Sequence, residues 1–265
     1  MRHFIAAPLA CLTLLFASTP ALAAPGPHLS WDHCWGDGQV ANKSFACDTN
    51  AGSEALVVSY ESPVARSDRL GVEITLHIAA TGLTLPAWWS VAGAGACRPG
   101  ALTASVTGDP ASACVDPYHG VSAGGIASYD VGLLGPNTVR VRAFAAVPPT
   151  APFEVGPGVE DFAMRLNLSH SLTAGASACG GCFVRLCLGV GIINLVSAVP
   201  SDKIQLLGSS GGGGSPATVT WQGATVLSYV NVFEQTGIFS SLNCSPSPPD
   251  PTQRASWGAV KSLYR

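Results

Sequence analysis

The sequence is poor in charged side chains and has very little lysine. Charged residues make up 11% of its 265 positions, against about 25% in an average globular protein. Lysine occurs only at Lys43, Lys203 and Lys261. Because no run of basic residues is present, the sequence predicts neither a nucleic-acid partner nor binding to an anionic membrane surface.

The sequence also lacks stretches suited to long helices. Its 30 glycines and 20 prolines are spread along the chain, a pattern that favours short strands joined by turns. One long apolar run, over residues 4–17, is shorter than the roughly 20 residues of a membrane-spanning helix. With Arg2 before it and the small residues Ala21 and Ala23 after it, this run predicts a signal peptide over residues 1–23.

Cleavage after Ala23 would leave a secreted or periplasmic chain with no membrane insertion, which we expect to form a single β domain over residues 24–265. Apart from two strands beside the Gly/Ser-rich stretch 208–216, six segments are predicted to be strands. The clearest covers residues 70–78, where Val72, Ile74, Leu76 and Ile78 alternate with other residue types. The other five cover residues 55–60, 138–147, 162–170, 188–199 and 225–233, and the apolar segment 188–199 could form one or two buried strands.

One buried and one wet face per strand is typical of antiparallel sheets. The predicted fold is therefore all-β, an antiparallel β-sandwich or jelly roll. Residues 208–216, rich in glycine and serine, are predicted to be the loop of a hairpin between strands at 203–207 and 217–221. Residues 245–265 are predicted to be an extended tail that ends in a short helix or turn.

Loss of Cys11 with the signal peptide leaves an even number of cysteines, which in an exported chain indicates disulfides. The eight are Cys34, Cys47, Cys97, Cys114, Cys179, Cys182, Cys187 and Cys244. Nearness in sequence predicts the pairs Cys34–Cys47 and Cys97–Cys114. The pairing within the last four stays open, although one bond is expected to reach Cys244.

Two other chemistries are possible for the cluster at residues 179–187. Its three cysteines with Cys244 would give zinc four thiolates, but the spacing lacks two Cys-x-x-Cys knuckles. Cys179 and Cys182 have the spacing of a redox motif, but the residues that follow favour a strand over the helix such motifs precede. We therefore predict structural disulfides and no metal.

Tryptophans are the predicted ligand contacts. An exposed indole is a flat apolar platform with a polar edge and suits a sugar ring. Trp35, Trp88 and Trp89 are the candidates, with carbohydrate or a surface component as the partner. No cofactor is predicted, apart from a possible calcium ion in a loop near Asp32, Asp37 and Asp48.

Three enzymatic interpretations have partial support in the sequence. Ser209 and Ser210 among glycines, with His33 next to Cys34, partly match a chymotrypsin-like protease, but the aspartate expected before the nucleophile is missing. A hydrolase on a β scaffold would instead place His77, His119 or His170 beside a carboxylate in a cleft. A glycosidase would need a pair of carboxylates. Glu154, Glu160 and Asp161 are near one another in the sequence, but solvated loop acids are the simpler explanation.

Several motifs together resemble a family of uncharacterised exported bacterial proteins. They include Trp31 to Cys34, the Trp88–Trp89 pair, and the closing residues from Trp257 to Arg265. The resemblance implies export and a β domain with disulfides, and it carries no activity or catalytic residues. The prediction is therefore an exported, non-enzymatic β module that binds a ligand or has a structural role at the cell surface, with a secreted hydrolase as the alternative.

Overall fold

The structure, a computed structural model, describes residues 25–208, 216–234 and 237–246. The predicted signal peptide, most of the Gly/Ser-rich stretch and residues 247–265 of the predicted tail lie outside these ranges. Within them the fold is nearly all β, as predicted. No helix in the described ranges is long and apolar enough to cross a membrane.

Fourteen strands and two single 3-10 turns, Trp35–Asp37 and Ala87–Trp89, make up the described part of the chain. The strands are β1 Gly26–Trp31, β2 Asn42–Lys43, β3 Ser53–Glu61, β4 Arg66–Ala80, β5 Leu102–Ser105, β6 Ala123–Val131, β7 Thr138–Ala146, β8 Phe153–Val155, β9 Glu160–Ser169, β10 Leu186–Ser197, β11 Ile204–Leu207, β12 Thr218–Trp221, β13 Ala224–Glu234 and β14 Gly237–Pro246. All eight segments predicted to be strands form strands, with shifts at their ends.

Two sheets form a sandwich. The first has four strands in the order β1-β3-β9-β5, all antiparallel. The second has eight strands along the path β2-β12-β10-β4-β7-β6, with β11 beside β10 and β8 beside β4. Its pairs are antiparallel except for the short parallel pair of β2 with β12, so this sheet is mixed.

Alternating apolar side chains fill the space between the sheets. Val72, Ile74, Leu76 and Ile78 of β4 are all buried, as their spacing predicts. Trp31 of the first sheet packs against Trp221 of the second, with ring centroids 5.7 Å apart. Most buried apolar side chains of both sheets belong to one contiguous core, while Cys187 of β10 belongs to a second, smaller cluster with residues of β13.

The β13–β14 hairpin packs against the other face of the eight-stranded sheet. The hydroxyl of Tyr229 donates to the Gly189 carbonyl at 3.2 Å and lies 3.1 Å from Nδ1 of His77. Gly189 is required here, because a Cβ atom at that position would lie 2.9 Å from the Tyr229 ring. The Cys187–Cys244 disulfide fixes the hairpin to β10.

The strands that flank the Gly/Ser-rich stretch do not form the predicted hairpin. β11 pairs with the Ile192–Leu195 part of β10, and β12 pairs with the Leu186–Gly189 part of the same strand. Both run antiparallel to β10, so they follow one another in the same direction along it. β11 and β12 therefore lie end to end along the same edge of β10, separated by the intervening residues. The apolar β10 supplies the hydrogen-bonding edge for both.

Eight cysteines form four disulfides, which confirms the predicted set and indicates an oxidising compartment. The pairs are Cys34–Cys114, Cys47–Cys182, Cys97–Cys179 and Cys187–Cys244. The two pairings predicted from nearness in sequence are wrong, because the sheets bring together cysteines from distant segments. The expected bond to Cys244 is present, and its partner is Cys187.

Candidate functional site

The tryptophans predicted as sugar platforms are not exposed. Trp88 and Trp89 are 0% and 2% exposed, and Trp88 stacks on Trp221 at 5.4 Å. The guanidinium of Arg98 lies 3.6 Å from the centre of the Trp88 ring. A sugar could reach neither Trp88 nor Trp89 without opening the core.

Trp35 lies in the first 3-10 turn and is half-buried. Its ring stacks on His28 of β1, with centroids 4.9 Å apart. Its indole nitrogen is buried and has no hydrogen-bond partner among the described residues. Trp35 therefore covers one face of the four-stranded sheet, and its stacked face is already occupied by protein.

Of the three histidines predicted to stand beside a carboxylate, His170 does so inside the protein. Its Nε2 lies 3.0 Å from Oε1 of Glu54, and its Nδ1 lies 2.7 Å from the Ala51 carbonyl oxygen. The Phe45 ring stacks on it at 3.8 Å. With both ring nitrogens bonded and one face covered, His170 fixes the 45–54 segment to the end of β9.

His77 also has a structural role. Burial, and secondarily the charge of Arg140, lowers the pKa of His77 from 6.5 to about 4, so the ring is neutral at physiological pH. Since the Tyr229 hydroxyl donates to Gly189, it accepts a hydrogen bond from Nδ1 of His77. His77 thereby anchors the β13–β14 hairpin.

Glu160 is the centre of a further polar cluster. Its Oε1 accepts a hydrogen bond from the Ser59 hydroxyl at 2.5 Å and lies 3.3 Å from Nδ1 of His28. Serine and histidine thus meet the same carboxylate oxygen, an arrangement that holds Glu160 in place and does not align a nucleophile with its base. Ser209 and Ser210, the serines of the protease hypothesis, lie outside the described residues.

No calcium cluster forms from the three predicted aspartates within residues 25–208. Asp32 pairs with Lys43 at 2.7 Å, and both oxygens of Asp37 accept hydrogen bonds from the 112–113 turn. The single group of potential metal ligands found in the described ranges is Cys34, Cys114 and Glu160. Its two sulfurs are joined in a disulfide, so they do not act as thiolate ligands.

Of the three histidines predicted to stand beside a carboxylate, His119 lines a cleft. This cleft, which we call the Asp161 cleft, has a volume of about 380 Å³ and lies between the 115–119 segment and the connection from β8 to β9. Its walls are mainly apolar. They are formed by Val115, Pro117, Val155, Gly156 and Val159, with the polar groups of His119, Glu154 and Asp161.

Asp161 provides the unusual chemistry of this cleft. The residue is 2% exposed, and its Oδ2 has no hydrogen-bond partner among the described residues. Burial, followed by the charge of Glu160, raises the pKa of Asp161 from 3.8 to about 7. A carboxyl group in this environment is protonated in mildly acidic solution, where it can donate a hydrogen bond or a proton.

The expectation that Glu160 and Asp161 are solvated loop acids is wrong. Both lie in β9, and the chain is anchored there because Val115 donates to the Glu160 carbonyl and accepts from the Phe162 amide. An isolated parallel bridge joins Val115 to Asp161. The sequence carried no signal for this contact, since Val115 and Asp161 lie far apart along the chain.

A second cleft, the Arg165 cleft, lies on the adjoining part of the four-stranded sheet and has a volume of about 280 Å³. Its base consists of Val57, Phe162 and Arg165, and its walls are the 33–37 and 109–114 segments. Nε of Arg165 is buried without a hydrogen-bond partner in the described ranges. The sequence pattern placed Arg165 on a polar strand face and gave no reason to select it.

Comparison with protein families, curated proteins and solved structures finds no match to this chain. The resemblance to a family of exported bacterial proteins therefore stays a prediction from the sequence motifs. What the chain can do chemically has to be argued from the two clefts.

Proposed function

We propose that this protein is an exported β-sandwich module that binds a neutral carbohydrate in the Asp161 cleft. The observation that carries the proposal is Asp161, a residue that lines a mainly apolar cleft and whose buried Oδ2 has no hydrogen-bond partner among the described residues. A buried polar atom normally has a hydrogen-bond partner, and a ligand oxygen would provide one. Export is supported by the predicted signal peptide and by the four disulfides.

A sugar matches the groups that line this cleft. The C–H faces of a pyranose pack against apolar side chains such as Val155 and Val159, while its hydroxyls bond to the polar groups. Protonated Asp161 would donate to a ring or hydroxyl oxygen, and the Glu154 carboxylate would accept from a hydroxyl. A neutral ligand is favoured over an anionic one, because Glu154, Glu160 and Asp161 are all acidic.

Glycan-array binding of the oxidised mature protein at pH 5.5 and pH 8.5 tests the proposal. We expect binding of a neutral glycan that weakens about tenfold or more at the higher pH, since ionised Asp161 can no longer donate. Asp161→Asn keeps a donor and should bind with little dependence on pH. Glu73→Gln, on a distant exposed part of β4, is the matched control. No binding of any neutral glycan at either pH would refute the proposal.

A hydrolase is the second candidate function, because Glu154 and Asp161 line the same cleft. Protonated Asp161 would donate its proton to the leaving oxygen of a glycoside, while Glu154 would accept a proton from the attacking water. Release of nitrophenol from nitrophenyl glycosides at pH 5.5 would favour this candidate, provided that Asp161→Asn and Glu154→Gln both abolish it. Binding without turnover would favour the non-enzymatic module.

A further inference from the structure

We propose that the Arg165 cleft is a second binding site, separate from the Asp161 cleft, and that it takes the carboxylate group of a small acidic ligand such as a uronic acid. The inference goes beyond the proposed function. It depends on two observations. The guanidinium of Arg165 at the base of the cleft has hydrogen-bond donors without partners, and the walls of the cleft are joined to each other.

Arg165 occupies the centre of the four-stranded sheet, where β9 pairs with β3 on one side and β5 on the other. Its nearest charged partner is Asp109, whose Oδ2 lies 3.8 Å from Nη2, beyond hydrogen-bond distance. Nε is buried without a partner in the described ranges, so the donors that a ligand could reach are those of Nη1 and Nη2 on this partly exposed side chain. A planar carboxylate matches the fork geometry of those donors.

A β-bulge explains how an arginine comes to lie beside an aromatic ring on this face. Val58 pairs with Met164 but the next residue, Ser59, pairs with Phe162, so Ala163 is the extra residue of the bulge. The bulge turns Phe162 to the face that carries Arg165 and Val57. The cleft therefore offers an apolar surface for the body of a ligand next to a cation for its acid group.

The two walls of the cleft are joined to each other. The Cys34–Cys114 disulfide links them, and Asp37 accepts hydrogen bonds from the Ser112 hydroxyl at 2.7 Å and the Ala113 amide at 2.8 Å. Both carboxylate oxygens of Asp37 are thus engaged in hydrogen bonds within the walls of the cleft. A site with fixed walls loses little conformational freedom when a ligand binds.

Asp109 sets the preferred charge of the ligand. Its Oδ1 accepts a hydrogen bond from the Ala111 amide at 2.9 Å, which holds its negative charge near the rim. A ligand with one negative charge competes with Asp109 for the guanidinium, whereas a dianion would be repelled more strongly. For this reason we infer a carboxylate and not a phosphate.

Titration of the oxidised mature protein with sodium glucuronate, followed by two-dimensional amide NMR at constant ionic strength, tests the inference. Glucose serves as the matched ligand without a carboxylate. We expect glucuronate to shift the amide signals of residues 109–114 and 162–165, and glucose to leave them unchanged.

Variants assign the effect to the guanidinium. Arg165→Gln should weaken glucuronate binding about tenfold or more, since hydrogen bonds to charged groups are lost. Arg165→Lys, which keeps the charge without the fork, should weaken it less. Asp109→Asn should tighten it by about two- to fivefold, a gain that partial unfolding cannot produce. Arg142→Gln, an exposed arginine on β7, is the control and should bind as the native protein does.

The inference would be overturned if glucuronate causes no shifts, if glucose causes the same shifts, or if Arg165→Gln binds glucuronate with native affinity. Failure of neutral glycans to bind the Asp161 cleft would not affect it. The two sites are distinguished by their signals, because neutral ligands are expected to shift residues 154–159 instead.

Discussion

Replacing Asp161 by asparagine should change the stability of the protein by an amount that depends strongly on pH. In the unfolded chain this carboxyl ionises near pH 3.8, and in the folded protein burial raises its pKa to about 7. The folded state therefore holds the proton more tightly than the unfolded state does. Stability associated with Asp161 is fully present below pH 3.8 and is lost as the pH rises to about 7.

The size of the effect follows from the two pKa values. A rise from 3.8 to about 7 corresponds to about 4 kcal/mol of native-state stability lost between these pH values. Asparagine has a similar shape and does not ionise, so the stability of the variant does not fall in this way as the pH rises. The unfolding free energy of Asp161→Asn minus that of the native protein should therefore rise by about 4 kcal/mol as the pH is raised from 4 to 8.

Urea unfolding followed by tryptophan fluorescence provides the assay, with the disulfides kept oxidised. All other ionisable groups are shared by the two proteins, so the difference between their unfolding free energies isolates Asp161. Glu154→Gln, an exposed acid at the same cleft, should show a difference below about 1 kcal/mol. An Asp161→Asn difference that stays constant within about 1 kcal/mol from pH 4 to pH 8 would refute the reasoning.

Three further substitutions test contacts of the fold. Arg98→Met removes a buried guanidinium that donates to three backbone carbonyls, so the free energy of unfolding in urea should fall by about 3 kcal/mol or more. Tyr229→Phe removes the hydroxyl that binds His77, which should cost about 1 kcal/mol and speed amide exchange in β13. Replacing Cys187 and Cys244 together by serine removes a bond that closes a 57-residue separation, and should cost about 4 kcal/mol in thermal or urea unfolding.

Each of these substitutions has a matched control. Arg66→Met replaces an exposed arginine and should change stability by less than about 0.5 kcal/mol. For the tyrosine, exchange in β3 should be unaffected, and equal acceleration throughout the protein would contradict a local role. For the disulfide, a double variant as stable as the native protein would show that the bond adds nothing to the packing of the hairpin.

The strands could be predicted because their signal is local. In β4 every second residue from Val72 to Ile78 is aliphatic, and period two is a direct consequence of the pleat. β7 has the same pattern, with Val139 and Val141 buried and Arg142 exposed. An all-β fold follows from such segments without any knowledge of how they pair.

The sites could not be predicted because they depend on contacts between distant segments. The alternation in β9 placed Phe162 on the same face as Met164, but the bulge at Ala163 separates them. No feature of the sequence marks Asp161 as buried, because its bridge partner Val115 is distant in the sequence. Trp88 was predicted to be exposed and is buried. An aromatic pair in a proline-containing segment does not indicate whether other segments will cover it.

The disulfide pattern has a consequence for how this protein reaches its native state. Its bonds join cysteines 57 to 135 residues apart, whereas in an unfolded chain cysteines in neighbouring segments collide more often because the loop to be closed is shorter. Random oxidation would thus favour partners such as Cys34 with Cys47, and these are not the native ones. The sheets must assemble before the native bonds are sealed, or a thiol–disulfide isomerase must correct early errors. Recovery of this protein in its native form therefore calls for a compartment or a refolding buffer that both oxidises thiols and reshuffles disulfides.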